Sequence, residues 1–176
     1  MNRSCLGALL FLFAAAAIAP AHDGGFGHSR RTLYLTIEGD ALVLEYRIQH
    51  NREDALAEMT LMDADGDGAI SAEEKDRYLK AHAAQLAENL HVKTAGGEAI
   101  TLKLASVRLD QGLTQTYRYT LPTTAAEVLL EDRNFGHKPG LVLVRNGEGL
   151  TVELARQTDL THADRVSLRV RRKGQQ

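Results

Sequence analysis

The stretch Asp63-Ala-Asp-Gly-Asp-Gly-Ala-Ile-Ser-Ala-Glu-Glu74 carries the most specific pattern in this chain. Carboxylate side chains stand at its first, third, fifth and twelfth positions, and these are Asp63, Asp65, Asp67 and Glu74. A glycine at the sixth position allows a sharp turn, and carboxylate oxygens are ligands that calcium prefers. The spacing therefore predicts a twelve-residue loop that binds calcium.

The remaining ligand positions of the loop fit the same prediction. Ala69 would offer its backbone carbonyl at the seventh position, and Ser71 at the ninth would bind directly or through a water molecule. Ile70 is expected to point away from the ion into an apolar contact. A plainer interpretation is an acidic turn before an ordinary helix, because Ser71 and Glu74 also match a capping box. The two interpretations are compatible.

Residues 51–90 resemble the EF-hand family in this loop and in the helical patterns that flank it. Asn51 with Asp54 marks a helix start, and an apolar face of the first helix is predicted from Leu56, Met59 and Met62. A second helix is predicted from about Ser71 to Asn89, with one apolar stripe formed by Leu79, Ala83, Leu86 and Leu90. The resemblance implies a helix–loop–helix unit that binds Ca²⁺.

The residues around this unit alternate between apolar and polar side chains, which is typical of strands. Leu33 to Ile37 and Leu42 to Ile48 predict a hairpin closed by Gly39-Asp40, and Asn146-Gly147 predicts another before Val152. Eight to ten short strands are expected. The predicted fold class is α+β: an antiparallel β-sandwich-like single domain (32–176) with an EF-hand insertion at 51–90.

Residues 1–21 predict a cleaved secretory signal, because Arg3 precedes an apolar run and Ala19-Pro20-Ala21 is a small-residue cleavage site. The mature protein would begin at His22 with a flexible segment (22–31) and would be periplasmic or secreted. No later stretch is apolar enough to predict an integral membrane protein. Cys5, the only cysteine, lies inside the signal, so no disulfide is expected.

The charge balance argues against a nucleic-acid partner. Removing Arg3 leaves 20 of the 21 basic residues against 23 acidic ones, so the mature chain has a net charge near −3. Basic residues do gather near the C-terminus, as Arg165, Arg169, Arg171, Arg172 and Lys173. They predict a solvated strand face, and the functional alternative is an anionic membrane surface or an acidic partner.

The mature N-terminus offers a second candidate metal site. The amine and imidazole of His22 would chelate copper or nickel, and Asp23 and His28 are near enough in sequence to complete the site. The plainer interpretation is a flexible exported terminus. The order of features, including Leu130–Phe135, also resembles the extracytoplasmic region of bacterial nickel/cobalt transporters, without their membrane helices. That resemblance implies a periplasmic accessory protein of a metal system.

Motifs for catalysis are absent from the sequence, which has no G-x-S-x-G elbow and no phosphate-binding glycine loop. We therefore predict a protein that binds and does not catalyse, with a motif-free enzyme as the third alternative. Its envelope partner is unknown. Since EF-hands usually pair and this chain has one loop, Ile70 would either pair in a calcium-dependent dimer or pack on its own domain. The second arrangement, a monomer, is predicted.

Overall fold

The computed structural model describes residues 29–110, 114–134, 142–156 and 166–174. The predicted signal (1–21) lies outside the described residues, and so do His22, Asp23 and His28. Among the described residues, no helix is both long and apolar enough to cross a membrane.

Nine strands and two helices are formed by the described residues. In chain order they are β1 (Arg30–Glu38), β2 (Ala41–Gln49), α1 (Arg52–Met62), α2 (Ala72–Glu88), β3 (Leu90–Thr94), β4 (Lys103–Asp110), β5 (Thr114–Leu121), β6 (Glu127–Asp132), β7 (Val142–Asn146), β8 (Leu150–Arg156) and β9 (Val166–Arg172). Both helices therefore lie between β2 and β3 in the chain, as the sequence predicts.

The strands form two sheets. The five-stranded sheet has the order β4-β5-β2-β1-β7, and the four-stranded sheet has the order β3-β6-β9-β8. Every pair is antiparallel except β1 with β7, which run parallel. The α+β class is confirmed, and two mostly antiparallel sheets are compatible with a sandwich-like fold.

The core is built from alternate residues of both sheets. Leu33, Leu35, Leu44 and Tyr46 of the five-stranded sheet and Leu168 of the four-stranded sheet are all 0% exposed and belong to one cluster. Alternation along a strand sends their neighbours to the outer face. Full burial of one such leucine contributes roughly 1.5–3 kcal/mol, so this shared core holds the two sheets together.

Helix α2 joins this core through the stripe that the sequence predicts. Leu79, Ala83 and Leu86 are buried, and Leu90 continues the stripe from the start of β3. The hydroxyl of Tyr119 donates to the backbone carbonyl of Ala83 at 2.8 Å, which fixes the helix to β5.

Helix α1 differs from its prediction. Asn51 caps it as expected, since its Oδ1 accepts from the backbone amide of Asp54 at 2.8 Å. Of the predicted apolar face, however, only Met62 is buried, whereas Leu56 and Met59 are 58% and 39% exposed. Helix α2 supplies the apolar stripe that packs into the core. Helix α1 therefore contributes only its last turn to the core.

The first predicted turn is confirmed and the second is wrong. Glu38 is registered with Ala41 across Gly39-Asp40, and Gly39 has a φ of +58°, which suits glycine. At Asn146-Gly147 the chain instead passes from one sheet to the other, because β7 pairs with β1 and β8 pairs with β9. The amide of Gly147 donates to the carbonyl of Leu35 at 2.8 Å, so β7 completes the sheet edge beside β1.

Four polar residues, Arg31, Tyr46, Asp132 and Asn134, form an interior polar cluster between the sheets. Asp132 is 0% exposed and accepts from Arg31 Nη1 at 3.3 Å and from the Tyr46 hydroxyl at 2.9 Å through its Oδ2. Its Oδ1 accepts from the backbone and side-chain amides of Asn134, both at 2.9 Å. Asn134 also donates to the Leu86 carbonyl of α2 at 3.1 Å. Burial raises the pKa of the Asp132 carboxyl, and Arg31 and the other donors oppose that shift.

Candidate metal centre

The ends of the two helices position the acidic loop. The Asp63 amide donates to the Met59 carbonyl at 3.0 Å and closes α1. Ser71 and Glu74 form the reciprocal bonds of a capping box, so α2 starts where the sequence predicts. Ile70 is half-buried and packs against the core cluster, which anchors the loop between its ends.

Three aspartates come together in this loop. One carboxylate oxygen from each of Asp63, Asp65 and Asp67 lies within 4.8 Å of the other two. Calcium binds oxygens at 2.3–2.6 Å, so two ligands on one ion are at most about 5 Å apart. The separations of the three carboxylates therefore lie within the limit for ligands that share one calcium ion.

Backbone amides of the loop hold these carboxylates in place. Asp63 accepts from Gly66 and Asp67 at 2.9 and 3.1 Å through Oδ1, and from Gly68 at 2.9 Å through Oδ2. Gly66 and Gly68 have φ values of +74° and +83°, which residues with a side chain rarely adopt. A carboxylate has about four lone-pair sites, so Asp63 keeps one for a cation.

Asp65 and Asp67 are less occupied. The Oδ1 of Asp65 accepts from the Asp67 amide at 3.1 Å, and the Oδ1 of Asp67 accepts from the Ala69 amide at 2.8 Å. Both side chains are exposed. Most of their acceptor capacity therefore faces outward and is available to a metal ion.

Glu74 is placed apart from the three aspartates. Its Oε1 accepts from the amides of Ala64 at 2.9 Å and Asp65 at 3.3 Å, and its Oε2 accepts from the Ser71 amide at 2.9 Å and hydroxyl at 2.7 Å. These four donors occupy all its lone-pair sites. The bonds from the Ser71 hydroxyl and amide are the largest causes that lower the Glu74 pKa to about 2. To bind a metal ion, Glu74 would have to give up some of these bonds.

A second set of polar residues, the junction cluster, joins both helices to β5. Gln115 is 0% exposed and donates to Glu58 of α1 at 2.9 Å, and its Oε1 accepts from the Tyr117 hydroxyl at 2.7 Å. His82 Nδ1 of α2 lies 3.1 Å from the same Oε1, and Tyr78 donates to Glu58. If His82 carries its proton on Nδ1, each of these four contacts joins one hydrogen-bond donor to one acceptor.

No sequence motif predicted the junction cluster. Its hydrogen-bonded partners lie up to 57 residues apart in the chain, and no spacing rule connects them. One sequence feature does point to it. Gln115 is two residues before Tyr117 and four before Tyr119, so the alternation of the strand places all three on the inward face. A polar residue at such a position needs buried partners.

We expect His82 to make the stability of the fold depend on pH. Burial lowers its pKa below the ordinary value of 6.5, and Glu58 and Gln115 only partly oppose this, while His50 adds to it. The unfolded chain therefore binds a proton at a higher pH than the folded chain, so the free energy of unfolding should fall as pH drops below about 6.5.

Denaturant unfolding at several pH values measures this dependence. In His82→Asn, which keeps a donor near Nδ1, the slope between about pH 6.5 and 5 should be smaller than in the wild type. His91→Asn, at an exposed position on β3, is the matched control and should leave the slope unchanged. An unchanged slope in His82→Asn would contradict this assignment.

No protein-family model matches the chain, and no curated protein matches it. The assignment of the site thus depends on its own geometry and chemistry. The candidate nickel or copper ligands His22, Asp23 and His28 lie outside the described residues, so that hypothesis stays a prediction from the sequence.

Proposed function

We propose that this chain is an exported calcium-binding protein with one EF-hand, residues 51–90, set into a β-rich domain. It acts by binding and not by catalysis, and calcium mainly stabilises the structure. The observation that carries the proposal is the convergence of Asp63, Asp65 and Asp67 within 4.8 Å, in a loop flanked by two helices.

The donor set favours calcium over softer metals. The ion would be held only by oxygen ligands, which come from the carboxylates of Asp63, Asp65, Asp67 and Glu74, the Ala69 carbonyl and the Ser71 hydroxyl. Calcium prefers such hard ligands, whereas copper and nickel favour nitrogen. Residues 52–88 contain ten acidic and four basic side chains, a net charge of −6 that a divalent cation partly neutralises.

The position of Glu74 supports a modest affinity. A twelfth-position glutamate normally gives both oxygens to calcium, but here each oxygen already accepts two hydrogen bonds. Exchanging these bonds for metal contacts opposes binding. We therefore place the affinity in the range of extracellular modules, with a dissociation constant of roughly 10⁻⁴–10⁻³ M.

A structural role follows from where the loop is attached. The loop connects α1 to α2, and α2 is part of the hydrophobic core through Leu79, Ala83 and Leu86. Because the acidic side chains repel one another without a cation, an ion that relieves this repulsion stabilises the start of α2 and the contact between the helices.

Calcium should raise the melting temperature of the mature protein. At about 1 mM free calcium, a site with a dissociation constant near 0.1 mM adds about 1.4 kcal/mol to the free energy of unfolding. For a domain of this size the gain corresponds to roughly 3–6 °C. Magnesium should do less, because it requires octahedral geometry at shorter distances.

Differential scanning calorimetry with calcium, magnesium or chelator measures this shift, and titration calorimetry measures the binding itself. If the mature protein takes up no calcium at millimolar concentrations, the proposal is wrong and the acidic stretch is only a turn.

A further inference from the structure

The outer face of the five-stranded sheet carries an excess of positive charge. We name it the cationic face and define it by its charged members, six basic and three acidic: Arg30, Arg47, Lys103, Arg108, Arg118, Arg145, Glu38, Glu45 and Asp110. These positions alternate with the core residues of the same strands, which places them on the side away from α2. The face has a net charge of +3, although the whole chain is acidic.

Within the part of the chain that the structure describes, ion pairs on this face involve half of its basic residues. Arg118, Arg47 and Arg108 pair with Glu38, Glu45 and Asp110. Among the described residues, Arg30, Lys103 and Arg145 have no such partner. Arg118 on β5 reaches Glu38 on β1 across β2, and Val43 on the outer side of β2 is only 4% exposed.

The four-stranded sheet offers a direct comparison. On its outer face Glu127 pairs with both Arg169 and Arg171, and Arg171 also reaches Glu153. Arg169 and Arg171 thus belong to a strand face cross-linked by ion pairs, whereas Arg172 donates to the backbone carbonyls of Asp40 and Thr123. Arg165 lies outside the described residues. Arg30, Lys103 and Arg145, which have no carboxylate partner among the described residues, lie on the other sheet.

Charge is also separated along the molecule. The two helices and the acidic loop carry the net charge of −6, and α2 packs against the inner side of the five-stranded sheet. An anionic surface would attract the cationic face and repel the helical unit. This separation of charge would therefore attract the protein to an anionic surface and also orient it, with the cationic face toward that surface.

The size of the face indicates what it would bind. Its basic residues lie on all five strands, which span about 19 Å at a spacing of about 4.8 Å, more than a small anion can contact at once. Tyr34 is 36% exposed and is registered between Glu45 on β2 and Arg145 on β7. Tyrosine is enriched at the headgroup level of membranes, and arginine and lysine are attracted by acidic lipids.

We infer that the cationic face docks the protein onto a membrane surface of anionic phospholipids. The contact is peripheral and electrostatic, with the helical unit directed away from the lipid. It does not depend on the calcium proposal, because none of the calcium ligands lies on this face.

Vesicle sedimentation tests the inference with the mature protein in excess chelator, so that calcium cannot bridge protein and lipid. Vesicles containing phosphatidylglycerol should bind the protein at low salt and release it at high salt, and pure phosphatidylcholine vesicles should not bind it. Lys103→Ala and Arg145→Ala should each lower the partition coefficient about fivefold.

Lys93→Ala is the matched control. Lys93 is an exposed lysine on β3 without an ion pair among the described residues, and its loss changes the net charge as much as Lys103→Ala does. It should lower partitioning by about twofold or less, because it lies on the opposite sheet. All three positions are exposed, and unchanged melting temperatures would show that the fold survives.

Three results would overturn the inference. They are an absence of binding to anionic vesicles, equal losses for Lys93→Ala and Lys103→Ala, and binding only when calcium is present. Retention on an anionic polysaccharide without binding to vesicles would assign the face to a different partner and would also reject a lipid contact.

Discussion

Replacing Asp63 with alanine should weaken calcium binding by more than about 100-fold, because loss of a residue that merely orients a ligand already costs 10–100-fold. Asp63 is at the centre of the site: it accepts from three loop amides and shares the carboxylate cluster with Asp65 and Asp67. The substitution removes a charged ligand and also the acceptor that shapes the turn. Titration calorimetry of the two proteins measures the difference.

The same variant should melt at nearly the same temperature in calcium and in chelator. Asp76→Ala is a suitable control, because Asp76 is an exposed carboxylate on α2 that pairs with Lys80 and lies outside the loop. It removes an equal charge and should keep the calcium-induced shift. If Asp76→Ala weakened binding as much as Asp63→Ala, general charge attraction and not a defined site would explain the calcium effect.

The parts of the fold that the sequence predicts well are local ones. The three aspartates that converge in the loop stand at alternate positions, the capping box of Ser71 and Glu74 needs four consecutive residues, and the β1–β2 hairpin is joined by two residues. In each case the interacting groups are close in the chain, so composition and period are enough to locate them.

The pairing of β7 could not be predicted in this way. Asn146-Gly147 has the composition of a hairpin turn, and strands follow one another on both sides of it. Which sheet receives β7 is decided by the free edge of β1, more than a hundred residues earlier in the chain. Edge availability is a property of the assembled sheet and leaves no local pattern.

The position of Glu74 shows a similar limit within the site. The sequence assigns it to calcium by its place in the loop, and the structure places it against the loop amides and Ser71. Both roles use the same two oxygens. Sequence spacing cannot decide between calcium binding and hydrogen bonding by Glu74. The balance depends on how many hydrogen-bond donors the folded loop directs at its carboxylate.

The interior polar cluster was also missed, although strand phase contained a signal for it. Arg31 is in phase with Leu33 and Leu35, and Asp132 is in phase with Leu130, so a cation and a carboxylate both occupy inward positions. Two such exceptions predict that each needs a buried partner. The pairing itself spans 101 residues and required the fold.

Replacing Asp132 with asparagine should destabilise the protein by about 3–5 kcal/mol, because it breaks the buried ion pair between Asp132 and Arg31. The substitution preserves size and shape, so no cavity is formed. Both carboxylate oxygens accept from donors: Arg31 and Tyr46 on one side, and two amides of Asn134 on the other. However the new amide turns, its NH₂ group faces donors and cannot satisfy them. The melting temperature should fall by on the order of 10 °C.

A double-mutant cycle separates the charge from the packing. Arg31→Met removes the cation of the Arg31–Asp132 ion pair, which Asp132→Asn has already broken, so it should cost less in the Asp132→Asn background than in the wild type. Recovery should still be incomplete, because the donors from Tyr46 and Asn134 keep facing the new amide. Denaturant unfolding of the four proteins gives the coupling energy. If the two losses simply add, the ion pair contributes nothing specific, and the cluster stabilises the contact between the sheets only through its neutral hydrogen bonds.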